Sequence, residues 1–331
     1  MQPTQAAVPG IVHPYVPHGR DVRSGFSQVQ VAVALCGGLA VVAALLAHAG
    51  LSIRWHSRST LPFALAAAFA LAVRSDGVTR GWRYAAAVRE GAAYYAIFVA
   101  ISLTGAVASY PIAALSHGYA DPMLQRIDSA MGFDWLAWYR TVAAHRALQW
   151  LGVACYQSIY LTPAILLGWF AWTGARREAH RFLAGFWLAA VLTLALFALM
   201  PAVGPLSFLW HAPIAYLPVS ETWQSDLIPA LRAHRVGVID LGELRGLVSA
   251  PSFHAAAGTL YIRSAWRTPV LRWPLVSLIA AMLLATPVEG THYLVDMLIG
   301  AVVALIAMEI VDLALARRGG RSSNLRIRLT H

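Results

Sequence analysis

PSFHAAAGTLYIRSAWRTPVLRWPLVSLIAAMLLATPVEGTHYLVDMLIGAVVALIAMEIVDLALA, residues 251–316, decides the fold class. It holds three closely spaced apolar segments: Ser252 to about Ala265, Leu271 to about Ala285, and His292 to about Ala316. Arg263, Arg267 and Arg272 mark the first turn between them, and Pro287-Val288-Glu289-Gly290-Thr291 forms the second. A bilayer crossing takes about 20 mostly apolar residues. Three such segments with short connections read as helices that cross, return and cross again, each adjacent to the next.

Upstream, Ser27–Leu51, Gly91–Leu115, Leu148–Trp172 and Phe182–Met200 are four further spans. Pro111 bends the far end of the second, and Pro201 and Pro205 stop the fourth. Thr60–Val73 is apolar for about 14 residues, about 21 Å of helix, and either spans or lies at the interface. The expectation is an all-α polytopic membrane bundle of seven or eight spans, with a six-helix catalytic core and loop helices on the outer face. Residues 1–26 read as a flexible tail, 27–89 as an N-terminal span with a short apolar or interfacial helix, 90–316 as the catalytic membrane domain, and 317–331 as a basic cytoplasmic tail.

Composition agrees. The 331 residues are 59% apolar and 12% charged, against about 25% charged in an ordinary soluble domain. That excludes a soluble globular protein, and equally a disordered one, which needs low hydrophobicity and high charge. The net charge of +10 resides in loops and not in a nucleic-acid surface. Arg74, Arg80, Arg83 and Arg89 form one cluster, and Arg176, Arg177 and Arg181 another. Arg263, Arg267 and Arg272 form a third, and the tail from Arg317 to Arg328 a fourth. Counting spans puts all four on one side, and the positive-inside rule makes that side the cytoplasm. The opposite face carries the long connections 117–147 and 201–251. Cys36 and Cys155 lie in apolar runs and suggest neither a disulfide framework nor a zinc site.

Ionisable groups at membrane depth are expensive and mark function. Two clusters begin helices on the outer face: Pro251-Ser252-Phe253-His254 and His292-Tyr293-Leu294-Val295-Asp296. Pro251 suits a first helical turn, and Ser252 reads as a cap or as an anion contact beside free N–H groups. His292 and Asp296, four apart, share a helix face; the carboxylate fixes one ring nitrogen and leaves the other as nucleophile or base. Together the clusters bring two histidines, one carboxylate and one serine to one membrane surface. One imidazole attacks phosphorus and the other protonates the departing oxygen, work suited to imidazole at neutral pH.

This pattern resembles the type 2 phosphatidic acid phosphatase superfamily, whose second motif is Pro-Ser-x-His and whose third ends in His-x-x-x-Asp. It is most similar to the inositol phosphorylceramide synthase-like branch. Pro201-Ala202-Val203-Gly204-Pro205 and the Asp121-Pro122-Met123-Leu124 segment, with Asp128 and Gly132, resemble stretches of that branch. The resemblance covers roughly 90–316. It implies that His292 is the nucleophile that becomes phosphohistidine, that Asp296 orients it, and that His254 protonates the leaving alkoxide. Ser252 and nearby N–H groups would hold phosphate oxygens. No metal or other cofactor is implied, and the partners are a lipid phosphate substrate and membrane lipids. The site would face the periplasm of a bacterial inner membrane. The reaction is hydrolysis of a lipid phosphate, or alternatively transfer of a phosphorylated head group to a lipid alcohol.

Two departures bear on this. The Lys and Arg-Pro of the phosphatases' first motif have no counterpart, and Ala285-Thr286 stands where a Ser-Arg pair is usual. Arg232, Arg235 and Arg245 are the nearest replacements, Arg245 being six residues before Pro251. Glu289 is read as a solvated turn residue or a contact for a polyol head group. Glu309 and Asp312 are expected to snorkel or to pair with Arg317. The stretch holding Asp121, Asp128, Asp134, Trp135, Trp138 and Tyr139 reads as an amphipathic surface helix beside the site. A proton-coupled transporter is the rival class. The clustering at helix starts on one face, instead of along a midplane path, speaks against it.

Overall fold

The computed structural model describes residue 26, residues 28–55, scattered positions between 60 and 75, and residues 81–328. Half of 60–73 and nearly all of the 1–26 tail lie outside the described residues. The helices are α1 (Gln28–His48), α2 (Ala85–Leu115), α3 (Asp121–Ala130), α4 (Trp135–Ala144), α5 (Arg146–Thr173) and α6 (Arg176–Leu199). After them come α7 (Pro205–Leu209), α8 (Trp223–Arg232), α9 (Phe253–Trp266), α10 (Arg272–Glu289) and α11 (Leu294–Arg328). Two short strands, β1 (Ser52–Ile53) and β2 (Val238–Ile239), pair in parallel and tie the chain after α1 to the long loop before α9.

Among the described residues six helices, α1, α2, α5, α6, α10 and α11, are long and apolar enough to cross a membrane. The seventh expected segment, α9, has 14 residues, about 21 Å of helix. It falls short of a crossing by length and sits inside the bundle, against α5, α6, α10 and α11. Its run Ala255, Ala256, Ala257, Gly258 is buried and lets neighbouring helices close around it. The main core joins all six helices from α2 onward that form the bundle, through residues such as Phe98, Leu166, Phe182, Leu260, Ile279 and Met308. Lipid-facing positions such as Leu199, Leu284 and Trp150 stay outside it.

The arginine-rich ends of the helices meet at one end of the bundle. Asp312 of α11 pairs there with Arg181 of α6 and with Arg263 of α9 at 3.0 Å, while Arg263 also reaches Glu309 at 2.8 Å. Arg267 lies 3.6 Å from both Asp312 and Glu178. Arg317 is not the partner the sequence suggested. Helices packed side by side offer closer arginines than the next turn of α11 does. The starts of α9 and α11, the end of α2 and the helices α3, α4, α7 and α8 occupy the opposite end.

Candidate active site

The two histidines meet. The ring centroids of His254 and His292 are 5.9 Å apart, with planes inclined by 55°. His254 lies in the first turn of α9. His292 stands two residues before α11 begins, in the bend from α10, where its N–H donates to Pro287 O. It therefore does not share a helix face with Asp296, as the spacing suggested. The bend itself brings Nδ1 to 3.2 Å from Asp296 Oδ1. Nδ1 lies closer still, 2.8 Å, to the carbonyl oxygen of Ser249. A carbonyl only accepts, so that contact fixes the proton on Nδ1 and leaves Nε2 with its lone pair. The shorter contact governs the tautomer, and the carboxylate adds negative charge beside the ring. His292 and Asp296 are both buried.

Helix ends explain why this arrangement holds. A helix start leaves N–H groups without internal partners. At α11 the Asp296 Oδ2 reaches back to the Tyr293 N–H at 2.9 Å, half of a capping box. The next two donors, Leu294 and Val295, are taken at 2.8 Å each by the two oxygens of Asp128, from α3. Asp121, one face of α3 away, accepts from Val203, Gly204 and the Tyr293 hydroxyl, each at 3.0 Å. Both carboxyls are buried, which pushes their pKa up, while the donated N–H bonds pull it back. The stretch 121–144 is thus two helices fastened to the site, not one surface helix. Its second half is held by Trp135 Nε1, which donates to Pro287 O at 2.8 Å, and by the Tyr139 hydroxyl, which donates to Tyr216 O at 2.8 Å.

At α9 Ser252 is fully buried and its Oγ accepts the Ala255 N–H at 3.3 Å. The Ser252 N–H donates to Asp296 O at 3.1 Å, which joins the two motifs directly. Pro251 precedes this cap instead of occupying the first turn. With Ala255 and Ala256 bonded to Ser252, the N–H groups of Phe253 and His254 remain as donors that a first turn cannot satisfy internally. Gly300 makes the approach of α11 to α9 possible, since a Cβ there would overlap the Ser252 carbonyl oxygen.

The expected cations are elsewhere. Arg232 donates to Ser116 Oγ and Gly118 O, both at 2.9 Å, and covers the Tyr119 ring. Arg235 is exposed. Arg245 lies over the Trp223 ring and lines a cavity of about 430 Å³ with Arg54, Tyr110, Asp226, Asp240 and Glu243. Neither histidine lines that cavity. Glu289 is not a solvated turn residue. Helix α10 runs through it, it is buried, and its carboxylate accepts the Tyr216 hydroxyl at 2.8 and 2.9 Å. Among the described residues no group of three His, Cys, Asp or Glu side chains is placed to hold a metal ion.

Two contributors escaped the sequence reading. The Ser249 carbonyl carries no side-chain signal. Tyr156 of α5, stacked on His254, looks like any core aromatic in an apolar run. Asp121 and Asp128 did carry a signal, two carboxylates on one helix face, but it points equally to a wet surface.

No curated protein and no solved structure matches the chain. A family model described as the PAP2 superfamily matches residues 122–310, more than half of the chain. The matched region begins in α3, ends in α11 and contains both histidines, Asp296 and Asp128, which caps α11. The chain belongs to the PAP2 superfamily.

Proposed function

We propose that this protein is a membrane lipid-phosphate phosphatase working through a phosphohistidine. The observation that carries the reading is the separation of the two imidazoles, 5.9 Å between centroids at one end of a helical bundle. That gap suits one tetrahedral phosphoryl group. His292 Nε2 attacks phosphorus, the ester P–O bond breaks, and its electron pair stays with the departing oxygen. His254 gives that oxygen a proton. Water then attacks the phosphohistidine, returns a proton to His254 and frees His292 and inorganic phosphate. Asp296 and the Ser249 carbonyl support the positive charge that His292 acquires. The N–H groups of Phe253 and His254, at the positive end of α9, hold phosphoryl oxygens. Ser252 acts by presenting this turn, since its own hydroxyl caps the helix. Nucleophile and proton carriers are all imidazoles, so the scheme calls on no metal. The arginine-rich end faces the cytoplasm, which puts the histidines at the periplasmic face of a bacterial inner membrane.

A second reading has its own support. If the donor is a phospholipid, its lipid alcohol leaves in the first step and His292 carries the head-group phosphate; a second lipid alcohol in place of water then accepts that head group, as in an inositol phosphorylceramide synthase-like enzyme. The absence of the phosphatase-type cations, together with the Pro201–Pro205 segment anchored by Asp121, favours it. A panel of lipid phosphates and phospholipids, with and without acceptor alcohols, separates the two. Release of inorganic phosphate supports hydrolysis, and head-group transfer without phosphate release supports the alternative. His292→Ala and His254→Ala are each expected to abolish turnover while the protein still inserts. Full turnover in His292→Ala sinks both readings.

A further inference from the structure

We propose that Tyr156 is the positioning residue of the general acid His254. The inference rests on the phosphohistidine reading above. Tyr156 projects from α5, a helix that carries neither motif, and its ring stacks on the His254 imidazole with centroids 4.4 Å apart and planes within 19°. Its hydroxyl lies 3.4 Å from His254 Nδ1. Tyr156 is buried, and no other hydrogen-bond partner of its hydroxyl is described.

The chemistry of the general acid explains the contact. To protonate a leaving oxygen through Nε2, His254 must be an imidazolium, with a proton on Nδ1 as well. The phenol oxygen accepts that Nδ1 proton. The stacked face confines the ring to one plane. The arrangement parallels the one at His292, where the Ser249 carbonyl holds Nδ1. Each imidazole has an oxygen behind it and Nε2 free to work.

The test uses the full-length protein in detergent with two soluble probes, dioctanoyl phosphatidic acid and p-nitrophenyl phosphate. An alkoxide needs a proton to leave, whereas p-nitrophenolate does not, so the ratio of the two kcat values reads the general acid alone. In Tyr156→Phe, which keeps the stack, that ratio is expected to fall about tenfold, the worth of one hydrogen bond. Tyr156→Leu, which also loses the stack, is expected to lower it further. His254→Ala sets the floor, and Tyr156→Phe added to His254→Ala is expected to change the ratio no more, because the phenol acts only through that ring. A ratio unchanged in Tyr156→Phe overturns the proposal, even if both rates drop together. So does a Tyr156→Phe effect that persists undiminished in the His254→Ala background. If His254→Ala itself leaves the ratio unchanged, it is the general-acid reading of the site that fails.

Discussion

At the residue scale the site is a set of atoms held by acceptors that cannot do anything else. His292 has its Nδ1 against a carbonyl and a carboxylate, so only Nε2 is left to act. Space under that ring is equally constrained. Gly290 has φ −95°, a conformation open to any L-residue. A Cβ there would nonetheless stand 2.6 Å from His292 Cδ2 and 2.9 Å from Thr286 O. Gly290→Ala is therefore expected to push the imidazole out of line and lower kcat by about 10²-fold, with little loss of folded protein; steady-state kinetics beside a thermal melt check this. Arg245 gives the opposite signature. Its guanidinium is committed to Trp223 and to the separate cavity. Arg245→Ala should leave both KM and kcat within about twofold, as expected for a group outside the site. A collapse of kcat would put Arg245 on the reacting phosphorus.

At the element scale the decisive feature is how the starts of α9 and α11 are finished. Ser252 caps the first, and Asp296 with Asp128 caps the second. Asp128 comes from α3, so the small outer helix is what closes the N-terminus of the helix carrying Asp296. Asp128→Ala would strand two buried N–H groups. At the usual worth of hydrogen bonds to a charged group this costs about 3 kcal/mol. The expected result is a clearly lower melting temperature in detergent and a parallel loss of activity. Asp128→Asn, which keeps one acceptor oxygen, should recover part of both. A melt unchanged in Asp128→Ala would show that α3 is not the fastening. The identity of these caps was only half legible in the sequence. Ser252 before an apolar run signals a cap locally, whereas Asp128 lies 166 residues from the N–H it serves. No local pattern reaches across that distance.

For the whole molecule, the two ends of the bundle are built on different physics. The outer end uses buried carboxylates accepting backbone N–H groups, and the other end uses an ion-pair cluster centred on Asp312. That cluster joins α6, α9 and α11, so it clamps the short central helix at the end away from the histidines. Its side chains are about one-sixth to one-third exposed, so solvent screens it and a full buried-pair penalty does not apply. Asp312→Ala should cost about 1–2 kcal/mol on these grounds. The melting temperature should fall by a few degrees, the loss shrinking in high salt, while kcat stays near wild type. A large kcat loss would mean that the two ends are coupled.

The sequence by itself determined the membrane class, the all-α architecture, six of the spans and the two motifs that meet. These follow from residue type and spacing alone, since hydropathy and motif chemistry are local properties. Tertiary structure alone decided that the fourteen-residue α9 is a central helix, that Arg232 and Arg245 are engaged elsewhere, that Glu289 is buried, and that Asp121, Asp128, Ser249 and Tyr156 lie against the two motifs. Each of those depends on which atoms of distant segments come within about 3–4 Å of one another. A one-dimensional pattern records that a carboxylate or a phenol exists, but a buried polar group is defined by the partner that satisfies it, and the partner is chosen by packing.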